Sequence, residues 1–159
     1  MTERFSEFLK LMRPRLSERG YRRHGSTFIH PGGEVNAKVY FQRTSTSSKD
    51  DPWLVVNWGL SVVSLQDADE LTTFGNCMIR ARLSNEHGES REFRLAAYPS
   101  TQAAADVIWN YLTPMLDYMT SVQTEADMLR EIERGAPVLG RAERQIERLR
   151  FAPRRRVES

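Results

Sequence analysis

The residues of this chain best suited to ligate a metal or attack a carbonyl are His24, His30, His87 and Cys77. No histidine has a His or Cys partner three or four positions away, the spacing by which a helix or turn offers two ligands to one zinc ion. No metal site is therefore expected. Cys77 opens the run Cys77-Met78-Ile79-Arg80-Ala81-Arg82-Leu83, where it reads as a small apolar core residue with an inert thiol. The sequence contains no Gly-x-Ser-x-Gly elbow and no phosphate-cradling glycine loop, and Pro31-Gly32-Gly33 reads as a turn. The acidic residues form no recognisable cluster for a catalytic metal. These patterns predict a non-enzymatic chain that uses no cofactor.

A second constellation is polar. Gln42, Asn57, Arg80, Arg82 and Arg94 fall on the side of their strands opposite the apolar residues, with Tyr40, Trp53 and Tyr98 as aromatic company. Asn57 interrupts an apolar strand, which costs sheet propensity and demands hydrogen-bond partners if the side chain is buried. Gln42, on the adjacent strand, is its natural partner. Two readings stay open. The amides can satisfy backbone or loop groups while the arginines are solvated, or the face can bind an acidic protein or a polyanion.

These residues need a sheet and helices to place them. Phe5, Phe8, Leu9, Met12 and Leu16 share one helical face, with Thr2 as N-cap, a kink or break at Pro14 and a stop at Gly20. A short strand is predicted over 26–30, ended by the turn Pro31-Gly32-Gly33, and period-two alternation predicts strands over Val35, Ala37, Val39 and Phe41 and over 53–62. Residues 44–52 read as a mobile polar loop, and residues 65–76 as an acidic loop or short helix. Residues 77–83 form a strand with Cys77, Ile79, Ala81 and Leu83 inward. A hairpin loop over 84–90 returns the chain into a strand over 93–98. A second long helix runs from Gln102 to Val122, bent at Pro114, with a seam of Ala104, Val107, Ile108, Tyr111, Met115 and Met119. Thr124-Glu125-Ala126-Asp127 is a near capping box opening a helix that stops at Gly135, and Ala142 to Phe151 is a last amphipathic helix. The fold class expected is α+β: a two-layer sandwich, an antiparallel sheet of about five strands with helices packed on one face. One domain over 1–152 and a charged tail over 153–159 complete the organisation.

Three motifs occur in order. They are Gly20-Tyr21-Arg22-Arg23-His24-Gly25-Ser26-Thr27-Phe28, Val39-Tyr40-Phe41-Gln42-Arg43-Thr44-Ser45 and Val55-Val56-Asn57-Trp58-Gly59-Leu60. Together they resemble the bacterial family of domain of unknown function 4304, over about residues 4 to 120. The resemblance implies an α+β domain in bacteria and carries no established activity. Some bacterial proteins of this size act as immunity proteins that cap a toxin, an analogy at the level of fold.

The length suits one ordinary domain, and no apolar run is long enough to span a bilayer. One cysteine and no export-like amino terminus predict a reducing cytoplasm. The net charge of +2 conceals blocks. Residues 1–25 and 139–159 each carry seven basic and three acidic groups, whereas residues 99–138 carry two basic and six acidic. The leading expectation is a cytoplasmic protein-binding domain, of the immunity type that masks a toxin, or one that self-associates. The alternative is a nucleic-acid-associated protein using Arg13 to Arg23 and Arg141 to Arg156. In the last helix Glu143 and Glu147 stand among those arginines, which suits a salt-bridged solvated face equally well.

Overall fold

Helix α1 (Glu3–Glu18) buries the five residues that its spacing places on one side, Phe5, Phe8, Leu9, Met12 and Leu16. It is seen in a computed structural model that describes residues 3–44, 47–48, 50–75, 77–84, 92–138 and 143–151. The proposed cap Thr2 lies outside the described residues. Pro14 does not divide α1, nor does Pro114 divide α2 (Thr101–Thr120). A proline frees the carbonyl four residues back; here these belong to Lys10 and Asn110, both exposed, so water can satisfy them. Gly20 ends α1 with φ +87°, Gly20 N–H bonding to Ser17 O at 3.0 Å and Tyr21 N–H to Leu16 O at 3.0 Å. This pair of bonds is the Schellman stop, which needs a left-handed residue and so favours glycine.

The sheet is entirely antiparallel: β1 (Arg22–His24), β2 (Thr27–Pro31), β3 (Val35–Arg43), β4 (Trp53–Val62), β5 (Ile79–Arg82) and β6 (Phe93–Arg94). Its order is β1-β2-β3-β4-β5, with β6 also on β4. Among the described residues there are thus six strands, one beyond the five named from the sequence. The additional one, β1, is a three-residue edge strand whose Arg-Arg-His composition conceals it, as charge on an edge typically does. The register Val35↔Val62, Ala37↔Leu60, Val39↔Trp58 and Phe41↔Val56 sets one apolar face against the helices. There the Phe8 and Phe28 rings meet Phe41 at 5.3 and 5.7 Å, and Trp58 meets Tyr118 of α2 at 5.9 Å. With α1 and α2 on this face, the chain is the two-layer α+β sandwich its patterning implies.

The predicted hairpin between the last two strands does not form. Ile79–Arg82 pairs with Leu60–Asn57, Leu83 N–H donates to Val56 O at 2.8 Å, and Phe93–Arg94 pairs with Leu54–Trp53. Both segments run antiparallel to β4, so they lie end to end along one side of it, and Arg80 N–H on the outer side of β5 donates to Pro137 O at 3.0 Å. The hairpin loop proposed over 84–90 lies, apart from Ser84, outside the described residues, as do Ser45, Thr46 and Lys49 of the polar loop. The strand expected over 93–98 shortens to two residues because Leu95–Ala97 turns into a 3-10 helix that buries only Leu95.

The α2 seam is also rotated from the one expected. Ala104, Ala105, Ile108, Leu112, Leu116 and Met119 are buried, whereas Val107, Tyr111 and Met115 are half-buried at its margins. A helix packed on both a sheet and α1 buries a wider, shifted stripe than one facing a single neighbour. Ser100 caps α2, its Oγ accepting from Ala103 N–H at 3.0 Å. Ser100→Ala is expected to lower the free energy of unfolding by about 1 kcal/mol in urea titration. The capping box of α3 (Glu125–Glu133) forms as its sequence implies, Thr124 Oγ1 accepting from Asp127 N–H and Asp127 Oδ2 from Thr124 N–H. Helix α4 (Glu143–Phe151) buries Leu149 and leaves Phe151 80% exposed. The charged tail over 153–159 lies outside the described residues.

Candidate functional site

The face of the sheet turned away from the helices is not uniformly open. On β4 it carries Trp53, Val55, Asn57, Gly59 and Ser61; on β3 it carries Asn36, Lys38, Tyr40 and Gln42. Residues 63–75, coiled into 3-10 turns at Val63–Leu65 and Ala68–Thr72, cover one end of it. Lys38 fastens this cover. Its Nζ is fully buried and donates to Glu70 O and Thr73 O, each at 2.8 Å, and to Gln66 Oε1 at 3.3 Å. Burial lowers its pKa below the ordinary lysine value, although Cys77 and Glu70 nearby oppose that shift.

Alternation marks Lys38 as an outward strand residue, yet the structure buries it. Cys77 departs from its expected place as well. It packs beside Gly59 on the covered face, where a Cβ on Gly59 would stand 2.8 Å from Cys77 Cβ and 2.9 Å from Ile79 O. Met78 and Ile79 both enter the main core, so the inward alternation proposed from Cys77 fails just before β5 begins. Burial holds the Cys77 thiol well above its ordinary pKa, at about 12, so it is protonated and inert at neutral pH.

Beyond the cover lies a cleft of about 420 Å³. Its floor is Thr27, Tyr40, Gln42 and Asn57; Thr73, Phe74 and Gly75 form the wall, and Arg80 stands at the side. Asn57 and Gln42 bond as their adjacent strands suggest: Asn57 Nδ2 donates to Gln42 Oε1 at 3.2 Å and to Tyr40 O at 3.4 Å. A backbone carbonyl only accepts, so Tyr40 O fixes the Asn57 amide and thereby turns the Gln42 NH2 group outward. The Arg80 guanidinium lies 5.6 Å over the Phe74 ring, and Phe74 in turn meets Tyr40 at 5.8 Å. Arg82 is exposed on the same face, opposite Asn57 in the register.

Of the residues that sequence reasoning placed on this face, Tyr40, Gln42, Asn57, Arg80 and Arg82 come together. Arg94 does not join them. It pairs with Asp51 at 2.9 Å and lies 5.7 Å over the Trp53 ring, at the far end of β4. Arg94 thereby holds the Asp51 carboxyl below its ordinary pKa. Tyr98 also leaves the face and packs against the core, because the strand that was to carry it ends at Arg94. Thr27, Thr73 and Phe74 went unrecognised: they belong to a strand end and an aperiodic segment, neither of which signals a shared cleft.

The family model for a domain of unknown function, DUF4304, matches residues 12–134. The chain belongs to this family. The DUF4304 span contains every cleft residue from Thr27 to Arg80, together with Lys38, and leaves α4 outside it. No curated protein and no solved structure matches the chain.

The charge blocks of this DUF4304 chain fold onto one another. Arg15 pairs with Asp106, Arg19 pairs with Asp117 at 2.7 Å, and both guanidiniums lie over the Trp109 ring at 5.9 and 5.7 Å. Part of the basic amino-terminal block is thus spent on the acidic segment of α2. Among the described residues no group of three or more His, Cys, Asp or Glu side chains gathers as a metal site, and no helix is long and apolar enough to cross a membrane. His87 lies outside the described residues.

Proposed function

We propose that this chain is a non-enzymatic protein-binding domain of the bacterial cytoplasm that masks a partner protein, as an immunity protein caps a toxin. The observation that carries the reading is the arginine pair of β5. Arg80 and Arg82 share one face with Tyr40, Gln42 and Asn57, Arg80 lies over Phe74, and neither arginine has a carboxylate partner among the described residues. Arginines without a carboxylate partner among the described residues, set beside aromatic and amide groups, match the composition of interface centres. The partner this surface suits is acidic. Tagged chain is expected to recover one stoichiometric protein from extract of its own cells, and a folded Arg80→Ala/Arg82→Ala variant to lose it. Undiminished recovery by the double variant removes this face from the reading.

A second reading, association with nucleic acid, draws on α4. Arg144, Arg148 and Arg150 are exposed there, and no ion pair with Glu143 or Glu147 forms among the described residues. It predicts a mobility shift with DNA or RNA that weakens steeply as salt rises. No shift at low salt ends it.

A further inference from the structure

The polar groups of the cleft are unequal in kind. Asn57 already donates its amide hydrogens to Tyr40 O and Gln42 Oε1, and this leaves the Gln42 NH2 as a donor with no partner among the described residues. The Arg80 guanidinium lies over the Phe74 ring, and its N–H groups have no hydrogen-bond partner among the described residues. The hydroxyls of Thr27 and Thr73 add donors, and among the described residues no acidic side chain lines the cleft. Behind the wall, the buried Lys38 Nζ donates to Thr73 O and so holds that part of the lining in place, its charge offset by the nearby Glu70 carboxylate. The set is rich in donors, positive and flanked by an aromatic ring.

We infer that the cleft is a carboxylate-receiving site, which takes an aspartate or glutamate side chain, or a free chain end, of the bound partner between Arg80 and the Gln42 amide. This deepens the protein-binding reading and rests on it. A planar carboxylate accepts two parallel hydrogen bonds from a guanidinium edge, and the Gln42 NH2 can approach the same oxygens from the floor. At about 420 Å³ the cleft admits more than one side chain, so the group arrives as part of a short segment.

The test uses the isotope-labelled full chain and three short peptides, read by the NMR signals of the Gln42 side-chain amide and Arg80 Nε–H. One peptide is capped at both ends with a central glutamate; one is neutral with a free carboxyl terminus; the control is fully capped with glutamine in place of glutamate. Saturable shifts with either carboxylate peptide and none with the control are expected, and which peptide binds identifies the source of the group. Arg80→Ala should weaken binding about tenfold. Gln42→Glu keeps the shape and the bond to Asn57 but turns a carboxylate outward, and should abolish binding. No shift with either carboxylate peptide, equal binding of the control, or unchanged binding by Gln42→Glu overturns the inference. If Arg80→Ala/Arg82→Ala loses the cellular partner while the peptides fail, protein binding stands without the carboxylate site. If the peptides bind and no partner is recovered, the site stands and the masking role falls.

Discussion

Lys38→Ala is expected to destabilise the chain by about 3–5 kcal/mol, among the largest single effects available to it. The substitution removes a fully buried side chain and strips Glu70 O, Thr73 O and Gln66 Oε1 of the donor they share. Lys38→Met separates the two causes. It preserves volume and relieves the cost of burying a charge but still removes the Lys38 donor from Thr73 O and leaves Glu70 O only the Thr73 N–H at 3.4 Å, so about 2 kcal/mol of loss is expected. Urea unfolding measures both. A second measurement reads the cover itself. Cys77 lies beside Gly59, within the electrostatic reach of Lys38. If Lys38 pins residues 63–75, Lys38→Met should let a thiol reagent reach Cys77 well below the denaturant midpoint. A thiol as protected as in the unsubstituted chain would show that the cover is held by other contacts. Because Thr73, Phe74 and Gly75 form the wall of the cleft, the same variant should also weaken carboxylate binding.

Lys38 also marks where reading the sequence reached its limit. Period-two alternation located β3 and β4 and correctly put Lys38, Tyr40, Gln42 and Asn57 on one face. It supplied the Asn57–Gln42 bond too, since an amide in an apolar strand needs a neighbouring partner. Alternation says which face a residue takes but not what covers that face. The cover is an aperiodic run of 3-10 turns whose polar residues read as loop, so a buried lysine was indistinguishable from a solvated one. Phe74 joined the cleft through that same segment. Arg94 shows the opposite case. It has the parity of the face, but the strand ends there and Asp51 lies close enough to bind it. The charge blocks were visible by counting, whereas their mutual pairing through Arg15–Asp106 and Arg19–Asp117 required two residues some ninety positions apart to meet across α1 and α2.

The chain is expected to lose stability above pH 9, and Cys77 to account for the first part of the loss. Burial raises its thiol from an ordinary value of 9.0 to about 12. A group whose folded-state pKa lies above its unfolded value contributes stability that is complete below the unfolded pKa and lost as pH climbs towards the folded one. Here the unfolded chain releases the proton from pH 9 upward while the folded chain retains it until about pH 12. The slope approaches about 1.4 kcal/mol per pH unit, or on the order of 4 kcal/mol across the window. Tyr21, raised by burial, and Tyr118, raised to about 12, add the same sign from pH 10, the ordinary tyrosine value. Lys38 has the opposite sign. Its folded pKa is lowered below 10.5, so the cost of burying its charge is relieved as pH rises through that range. With Tyr98 also raised by burial, one lysine opposes four acids, which leaves a net alkaline loss. Urea midpoints from pH 8 to 11 measure it, and Cys77→Ala isolates the thiol by difference, because the tyrosines and Lys38 titrate alike in both chains and the thiol is the largest single contributor between pH 9 and 10. Cys77→Ala should therefore flatten the fall in that interval and leave the later fall in place. An unchanged slope between pH 9 and 10 would mean that the covered face admits water to the thiol, and the seal that Lys38 places over it would be looser than its three hydrogen bonds imply.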